Sequence, residues 1–90
     1  MSYRIRYKRR FLRDLAALPI RFRTAVEKIV FDDGLWENPH ATGRLEKLVG
    51  YETYYKIRVG NYRIGVELKS ETMVFCRVLH RKDIYRYFPG

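Results

Sequence analysis

The sequence is poor in cysteine and has no long apolar segment. Its single cysteine, Cys76, cannot form an internal disulfide, which excludes a disulfide-stapled scaffold. Cys76 lies within an apolar run and is predicted to be a small buried hydrophobe in a reducing compartment. No stretch approaches the ~18 consecutive apolar residues of a membrane-spanning helix. Because no apolar segment follows Met1 to Arg4, no secretory signal peptide is expected, and a cytoplasmic location is predicted.

Acidic residues are also scarce. Ten Asp and Glu stand against nineteen Lys and Arg, which gives a formal net charge of +9 over 90 residues. A surplus of this size favours a nucleic-acid partner, with an acidic protein as a further partner. A role at a membrane surface is disfavoured, because no basic helix is paired with a long apolar face.

The residues that usually hold metals or cofactors are few. His40 and His80 are far apart in sequence, and with one cysteine they form no zinc pattern. Asp32, Asp33 and Glu37 do not follow a carboxylate-ligand spacing, and no phosphate-binding glycine loop is present. No metal and no cofactor are therefore expected.

The chain shows a clear order of sequence periodicities. Alternation predicts a strand over 3–7, and helical spacing predicts helices over 8–18 and 20–31, separated by Pro19. After a turn-rich stretch, Leu45 and Leu48 are expected to lead into a sheet. Three further strands are predicted over 51–59, 62–68 and 72–80, and a short helix over 81–88. The predicted fold class is α+β: an N-terminal strand, a helical hairpin, a three-stranded antiparallel meander and a short C-terminal helix, in one domain of residues 1–90.

Alternation also assigns the side chains of the meander to two faces. The face expected against the helices carries Tyr55, Ile57, Val59, Ile64, Val66, Leu68, Val74, Cys76 and Val78. The opposite face carries Tyr54, Glu67, Met73, Phe75, Leu79 and a set of cations around Gly65. We call these cations, with the Arg that follows the last strand, the basic face: Lys56, Arg58, Arg63, Arg77 and Arg81. A concave cationic surface is therefore predicted on the side away from the helices.

Such a cluster can hold a phosphodiester and stabilise charge that develops on it. Arg has too high a pKa to be an easy base, whereas a Lys crowded by other cations can serve, so Lys56 is the best base candidate. Tyr85 either stacks on a base or takes part in proton transfer, or it packs the final helix onto the sheet. A two-histidine ribonuclease site would need His40 and His80 to meet. His80 has the phase of the buried face and is interpreted as a hydrogen-bonded residue that fixes the last strand.

Two motifs carry a resemblance to a known family: Tyr55-Lys56-Ile57-Arg58-Val59-Gly60-Asn61-Tyr62-Arg63 and His80-Arg81-Lys82-Asp83-Ile84-Tyr85. With the order of elements, they resemble the RelE/ParE superfamily of toxins of type II toxin–antitoxin systems, most of all its RelE-like branch. The resemblance covers the chain from Tyr3 to Tyr85.

The resemblance implies a ribosome-dependent endoribonuclease that cuts mRNA in the A site and needs no metal. It assigns the base role to Lys56, phosphate anchoring to Arg58 and transition-state stabilisation to Arg63. Arg81 would support the leaving group, and Tyr85 would stack on or orient the nucleotide. Further RNA contacts are predicted for Arg77, Lys82 and Tyr54.

The implied partners are mRNA, the ribosome with its rRNA, and a cognate antitoxin that blocks the basic face in a hetero-oligomeric complex. Two alternatives to the ribonuclease stay open. One is a ParE-like inhibitor of DNA gyrase, because the stretch from Arg58 to Arg63 is shared with that branch. The other is a noncatalytic RNA-binding module.

Overall fold

The computed structural model describes residues 3–89, which fold around one mixed sheet of five strands. The elements in chain order are β1 (Arg4–Tyr7), α1 (Arg9–Ala17), α2 (Ile20–Val30), β2 (Leu45–Lys47), β3 (Tyr54–Val59), β4 (Tyr62–Lys69), β5 (Thr72–His80) and α3 (Ile84–Tyr87). Two short 3₁₀ turns, Leu35–Glu37 and Pro39–Thr42, lie between α2 and β2. The α+β fold class and the predicted element order are confirmed.

The sheet order is β1-β5-β4-β3-β2. β1 pairs with β5 in parallel, so the helical hairpin α1–α2 lies between the first strand and the meander. The hairpin from β3 to β4 turns at Gly60, whose φ of 58° suits a residue without a Cβ, as the sequence predicts. Leu45 was expected to lead into the sheet, and it begins β2, which forms the second edge of the sheet.

Two predicted elements begin later in the chain than expected. The strand expected from Tyr51 begins at Tyr54, because residues 48–53 form the loop that returns from β2. The final helix occupies only Ile84–Tyr87, since the backbone after His80 first makes a turn in which the Asp83 N–H bonds the His80 carbonyl at 2.8 Å. The meander is also extended by β2, which at three residues is too short to show an alternation in sequence.

The main core lies between the two helices and one face of the sheet. Phe11 and Leu15 of α1 and Val26 and Val30 of α2 pack against the apolar side chains of β3, β4 and β5. Trp36 closes this core and donates its indole N–H to the Ile29 carbonyl at 2.8 Å. The positions of Ile57, Ile64, Val66 and Val78 on this face confirm the predicted phase of β3 and β4 and the end of β5.

The phase predicted for the first half of β5 is wrong. A β-bulge places Val66 opposite Phe75 and Gly65 opposite Arg77, so Cys76 has no partner on β4. The extra residue shifts the alternation by one. Consequently Met73 and Phe75 lie in the main core, whereas Val74 and Cys76 belong to a second cluster on the other face.

The second cluster lies on the face of the sheet away from α1 and α2. Its buried members are Leu48, Cys76, Ile84 and Phe88. Cys76 is only 3% exposed, and burial raises the pKa of its thiol, so its prediction as a buried hydrophobe is confirmed. This cluster fixes α3 on the same side of the sheet as the basic face.

Candidate functional site

The outward positions of β3 and β4 bring three predicted site residues together. Lys56 and Arg58 alternate along β3, and Arg63 of β4 is the direct cross-strand partner of Arg58. Two like charges directly opposite each other destabilise a sheet, so this pair is retained at some cost in folding free energy. Arg58 is exposed and Lys56 and Arg63 are half-buried, so all three side chains are accessible from solvent.

The two arginines already have weak partners of their own. Arg58 forms an ion pair with Glu46 of β2 at 3.5 Å, in which both side chains are exposed. Arg63 donates to the carbonyls of Gly60 and Tyr62 at 2.8 and 2.9 Å. The exposed pair of Arg58 and Glu46 contributes about 0–1 kcal/mol, so an incoming phosphate can replace Glu46 at small cost.

Tyr85 of α3 lies directly against Lys56. The Lys56 ammonium donates a hydrogen bond to the Tyr85 hydroxyl, and its Nζ is 5.1 Å from the centre of the tyrosine ring. Tyr85 remains 58% exposed, so its ring is not buried when α3 packs on the sheet. The residue is therefore placed both to orient the lysine and to present a free aromatic surface.

Arg81 and Lys82 lie in the turn between β5 and α3. The Arg81 N–H donates to the Asn61 carbonyl at 2.8 Å, which holds this turn beside the end of the β3–β4 hairpin. The Lys82 N–H donates to Nδ1 of His80 at 3.2 Å. His80 also packs its ring against Tyr62, which agrees with its interpretation as a structural residue.

His40 and His80 have separate neighbours. The ring of His40 lies edge-on to Tyr55, with centroids 5.7 Å apart, and the ring of His80 lies edge-on to Tyr62 at 5.6 Å. Among residues 3–89, no group of three or more His, Cys, Asp or Glu side chains is arranged to hold a metal ion. The described part of the chain also has no helix long and apolar enough to cross a membrane.

Arg77 shares the predicted face but is held by a partner that the sequence did not indicate. Asp14 of α1 accepts from Arg77 Nε at 2.7 Å and from Nη2 at 3.1 Å, and it also accepts the Val78 backbone N–H at 3.1 Å. The hydrogen bond to Asp14 raises the pKa of Arg77. The guanidinium is therefore mainly a fixed structural cation, and its charge is largely compensated.

Phe88 fills the concavity that was expected around Gly65. A Cβ on Gly65 would lie 2.6–2.7 Å from the Phe88 ring, so the ring rests directly on the glycine backbone. Tyr54 stands edge-on to Phe88, with centroids 5.5 Å apart, and its pKa is raised by the charge of Glu67. The expectation of one open concavity is thus wrong, because Phe88 divides the face into two pockets.

The first of these, the Lys56 pocket, contains Lys56 and Tyr85 and has a volume of about 400 Å³. Its walls come from the end of β2, from the β2–β3 loop and from the segment after α3: Lys47, Leu48, Tyr51 and Phe88. The second, the Tyr54 pocket, has a volume of about 270 Å³ and contains Tyr54 and Arg77. The sequence offered one signal for this division, since a glycine inside a strand often marks a close approach by another group.

The close contact at Gly65 leads to a prediction about α3. Gly65→Ala should push Phe88 off the sheet, move Tyr85 away from Lys56 and lower the free energy of unfolding by about 1–3 kcal/mol. Thermal unfolding and amide exchange in α3 would measure both effects. Gly34→Ala is the matched control, because its nearest neighbour would be at an ordinary 3.5 Å. Unchanged exchange in α3 of the Gly65 variant would contradict the assignment.

The fold and site define a small α+β domain with a lysine, a tyrosine and arginines on the outer face of its sheet. Residues 5–85 match the family model of the ParE toxin of the type II toxin–antitoxin system parDE. Toxin RelE3 of Methanocaldococcus jannaschii is 40% identical over 90 residues, which cover 96% of this chain and 99% of that toxin. Toxin RelG of Mycobacterium tuberculosis is 37% identical over the same shares.

Solved structures agree with these relatives. The RelB–RelE antitoxin–toxin complex from Methanococcus jannaschii matches with a TM-score of 0.74 at 39% identity, over 93% of this chain and 99% of that one. The isolated E. coli RelE toxin, at 20% identity and a TM-score of 0.69 over 88% and 84% of the chains, shows the same fold. The chain belongs to the RelE/ParE superfamily and is a type II toxin of the RelE kind.

Proposed function

We propose that this toxin is a ribosome-dependent endoribonuclease that cleaves mRNA in the A site and thereby stops translation. The observation that carries the proposal is the hydrogen-bonded pair of Lys56 and Tyr85 in an open pocket beside the cross-strand arginines Arg58 and Arg63. A base candidate, an aromatic surface and phosphate-binding cations therefore share one solvent-accessible site. The names of the relatives support the RelE kind of toxin.

The proposed reaction is attack of a ribose 2′-oxygen on the adjacent phosphorus. Lys56 acts as the base that takes the proton from the 2′-hydroxyl, and the new P–O bond closes a cyclic phosphate. The bond to the 5′-oxygen breaks, and this oxygen leaves with a proton taken from water. A positioned general base contributes about 10²–10⁴-fold to such a step. Tyr85 keeps the lysine in place through its hydroxyl and stacks its exposed ring on the neighbouring base.

The arginines neutralise the charge that builds up on the phosphorane. Arg63 is proposed to release the Gly60 and Tyr62 carbonyls and bind the equatorial oxygens. Arg58, once it leaves Glu46, anchors the phosphate. Arg81 stabilises the departing 5′-oxygen from the turn beside Asn61. Because base, charge neutralisation and leaving-group support all come from side chains, the proposed reaction requires no metal and no cofactor.

The remaining predicted contacts have supporting roles in this proposal. Lys82 adds an exposed cation next to Arg81, and Tyr54 lies in the second pocket beyond Phe88. Arg77 acts mainly by fixing the strand that carries these residues, since Asp14 occupies its guanidinium. In this proposal the ribosome aligns the mRNA in the solvent-accessible site. Alignment of reacting groups is a large part of the rate enhancement in such reactions.

The proposed partners include a cognate antitoxin in a hetero-oligomeric complex, and the proposed setting is the cytoplasm. Similar chains from Methanococcus jannaschii and Mycobacterium tuberculosis were solved as toxin–antitoxin complexes, which supports an antitoxin for this chain as well. An acidic partner surface would complement the net charge of +9.

The test is mRNA cleavage in a reconstituted translation mixture, mapped by primer extension. The wild-type protein should cut translated mRNA and leave naked mRNA intact. The double variant Arg63→Ala, Arg81→Ala should lose at least about 10²-fold in rate, because both proposed charge stabilisers are removed. Its thermal unfolding should stay close to wild type, since Arg81 is exposed and Arg63 bonds only the carbonyls of Gly60 and Tyr62 at the β3–β4 hairpin.

Uncut mRNA with a folded wild-type protein would reject the ribonuclease. The next assay would then be DNA supercoiling by gyrase, because the matching family model describes a ParE toxin. Inhibition of supercoiling without RNA cleavage would identify the alternative function. Cleavage by the double variant at the wild-type rate would show that the active site does not lie on the basic face.

A further inference from the structure

The Tyr54 pocket lies outside the residues that the proposed cleavage reaction uses. It combines three tyrosines and three cations: Tyr51, Tyr54, Tyr87, Lys8, Arg10 and Arg77. None of its nine lining residues is acidic. Aromatic rings together with uncompensated cations are the features by which proteins bind single-stranded nucleic acid, through stacking on bases and attraction of phosphates.

The tyrosines present accessible rings in a fixed arrangement. Tyr51 and Tyr87 are each 46% exposed, although both are large aromatic side chains. Tyr54 is held edge-on between Tyr51 and Phe88, with ring centroids at 5.6 and 5.5 Å. Glu67, opposite Tyr54 on β4, raises the pKa of the Tyr54 phenol through its charge. The volume of about 270 Å³ is below the usual lower limit for drug-sized ligands and suits a single base.

The three cations of the Tyr54 pocket differ in whether their charge is already paired. Arg77 is held by Asp14 and lies 5.5 Å from the centre of the Tyr87 ring, so it stiffens the wall of the pocket. Lys8 and Arg10 are exposed at the junction of β1 and α1 and form no ion pair in the part of the chain that the structure describes. These two side chains therefore supply the free positive charge at the rim.

The Tyr54 pocket adjoins the Lys56 pocket. Tyr51, Phe88 and Pro89 line both pockets and form the ridge between them. An RNA strand with its reacting ribose at Lys56 can therefore cross this ridge and place its next base among the tyrosines. Its following phosphate would then meet Lys8 and Arg10.

We infer that the Tyr54 pocket is a second nucleotide subsite, which binds the base next to the cleaved bond in single-stranded RNA. The inference rests on the proposed function, because the position of the RNA strand is defined by cleavage in the Lys56 pocket. Stacking favours a nucleotide over an acidic peptide as the occupant, since a peptide would use the cations and leave three tyrosine rings unused.

The experiment measures binding, so its outcome does not depend on cleavage. A fluorescein-labelled RNA trinucleotide, with 2′-deoxyribose at the scissile position to prevent reaction, is titrated by fluorescence anisotropy. Tyr87→Ala and Tyr51→Ala should each weaken binding at least about fivefold, because each removes a stacking surface. Phe31→Ala is the matched control, because Phe31 is also 46% exposed but lines a different pocket, and it should change nothing.

Three further measurements locate the base, the phosphate and the pocket that they occupy. A trinucleotide with an abasic flanking position should bind the wild type and Tyr87→Ala equally. The double variant Lys8→Ala, Arg10→Ala should flatten the salt dependence of binding, while Lys28→Ala on α2 should not. Amide shifts of Tyr54, Cys76 and Arg77 on titration would place the ligand in the pocket.

The outcomes separate the two proposals. Cleavage on the ribosome with trinucleotide binding unaffected by Tyr51→Ala and Tyr87→Ala would overturn the subsite alone. Tyrosine-dependent binding without any cleavage would retain the nucleotide site and reject the ribonuclease. Displacement of the RNA by poly-glutamate with the same tyrosine dependence and no abasic effect would overturn the inference in favour of an acidic peptide.

Discussion

Lys56→Ala should reduce the rate of mRNA cleavage by about 10²–10⁴-fold, the usual contribution of a positioned general base. The substitution also removes the ammonium that bonds the Tyr85 hydroxyl, so the nucleotide loses one of its orienting contacts as well. Single-turnover cleavage of ribosome-bound mRNA measures the loss. Lys47→Ala is the matched control, because this lysine lines the same pocket from β2, and its rate should stay within a few-fold of wild type.

Lys56→Arg distinguishes a base from a simple cation. The guanidinium keeps the positive charge, but its very high pKa prevents it from accepting the proton of a 2′-hydroxyl. Cleavage by this variant should therefore be as slow as that of Lys56→Ala, while its affinity for RNA stays close to wild type. A rate near that of the wild type would show that Lys56 acts only through its charge.

Asp14→Ala should lower the free energy of unfolding by about 2–4 kcal/mol, slightly less than the ~3–5 kcal/mol for a fully buried ion pair, because this pair keeps some contact with water. The variant loses two hydrogen bonds to Arg77 and leaves the Val78 N–H without its acceptor. The side chains of Arg77 and Asp14 are only 18% and 12% exposed, so water replaces these bonds poorly. A domain of this size should then lose roughly 10–30 °C in Tm.

Urea unfolding of Asp14→Ala beside Glu27→Ala tests this prediction. Glu27 also pairs with an arginine from a helix, but its side chain and that of Arg23 are 36% and 41% exposed. Its loss should therefore cost only about 0.3–0.5 kcal/mol. In an Arg77→Met background, Asp14→Ala should cost less than in the wild type, because no buried charge is left unpaired. An equal loss of unfolding free energy in both backgrounds would show that Asp14 and Arg77 are not coupled.

The sequence was sufficient to predict the two faces and the pairing of β3 and β4, although not the start of β3, because their alternation is continuous and the Gly60-Asn61 turn sets their register. That register alone places Arg58 opposite Arg63 and Lys56 opposite Gly65. The faces of the first half of β5 could not be predicted from the same alternation. Nothing in Phe75-Cys76-Arg77 marks a bulge, yet the bulge reverses the faces of the residues before it.

The contacts that complete the site come from far along the chain, which explains why the sequence did not reveal them. Asp14 meets Arg77 across 63 positions, and a single aspartate on a helix gives no sign of such a partner. The position of Tyr85 depends on how α3 is seated, and this in turn depends on Phe88 resting on Gly65. The catalytic roles themselves stay predictions until the variants are measured.

The edges of the sheet bear on how this protein behaves at high concentration. An exposed strand edge can pair with another copy and start ordered aggregation. Here the edge strands β1 and β2 contain only four and three residues. β1 also carries Arg4 and Arg6 as exposed residues, and β2 ends in the exposed Lys47. Because both edge strands are short and carry cations that repel a second copy, this basic, tyrosine-rich domain should resist self-association while no partner is bound.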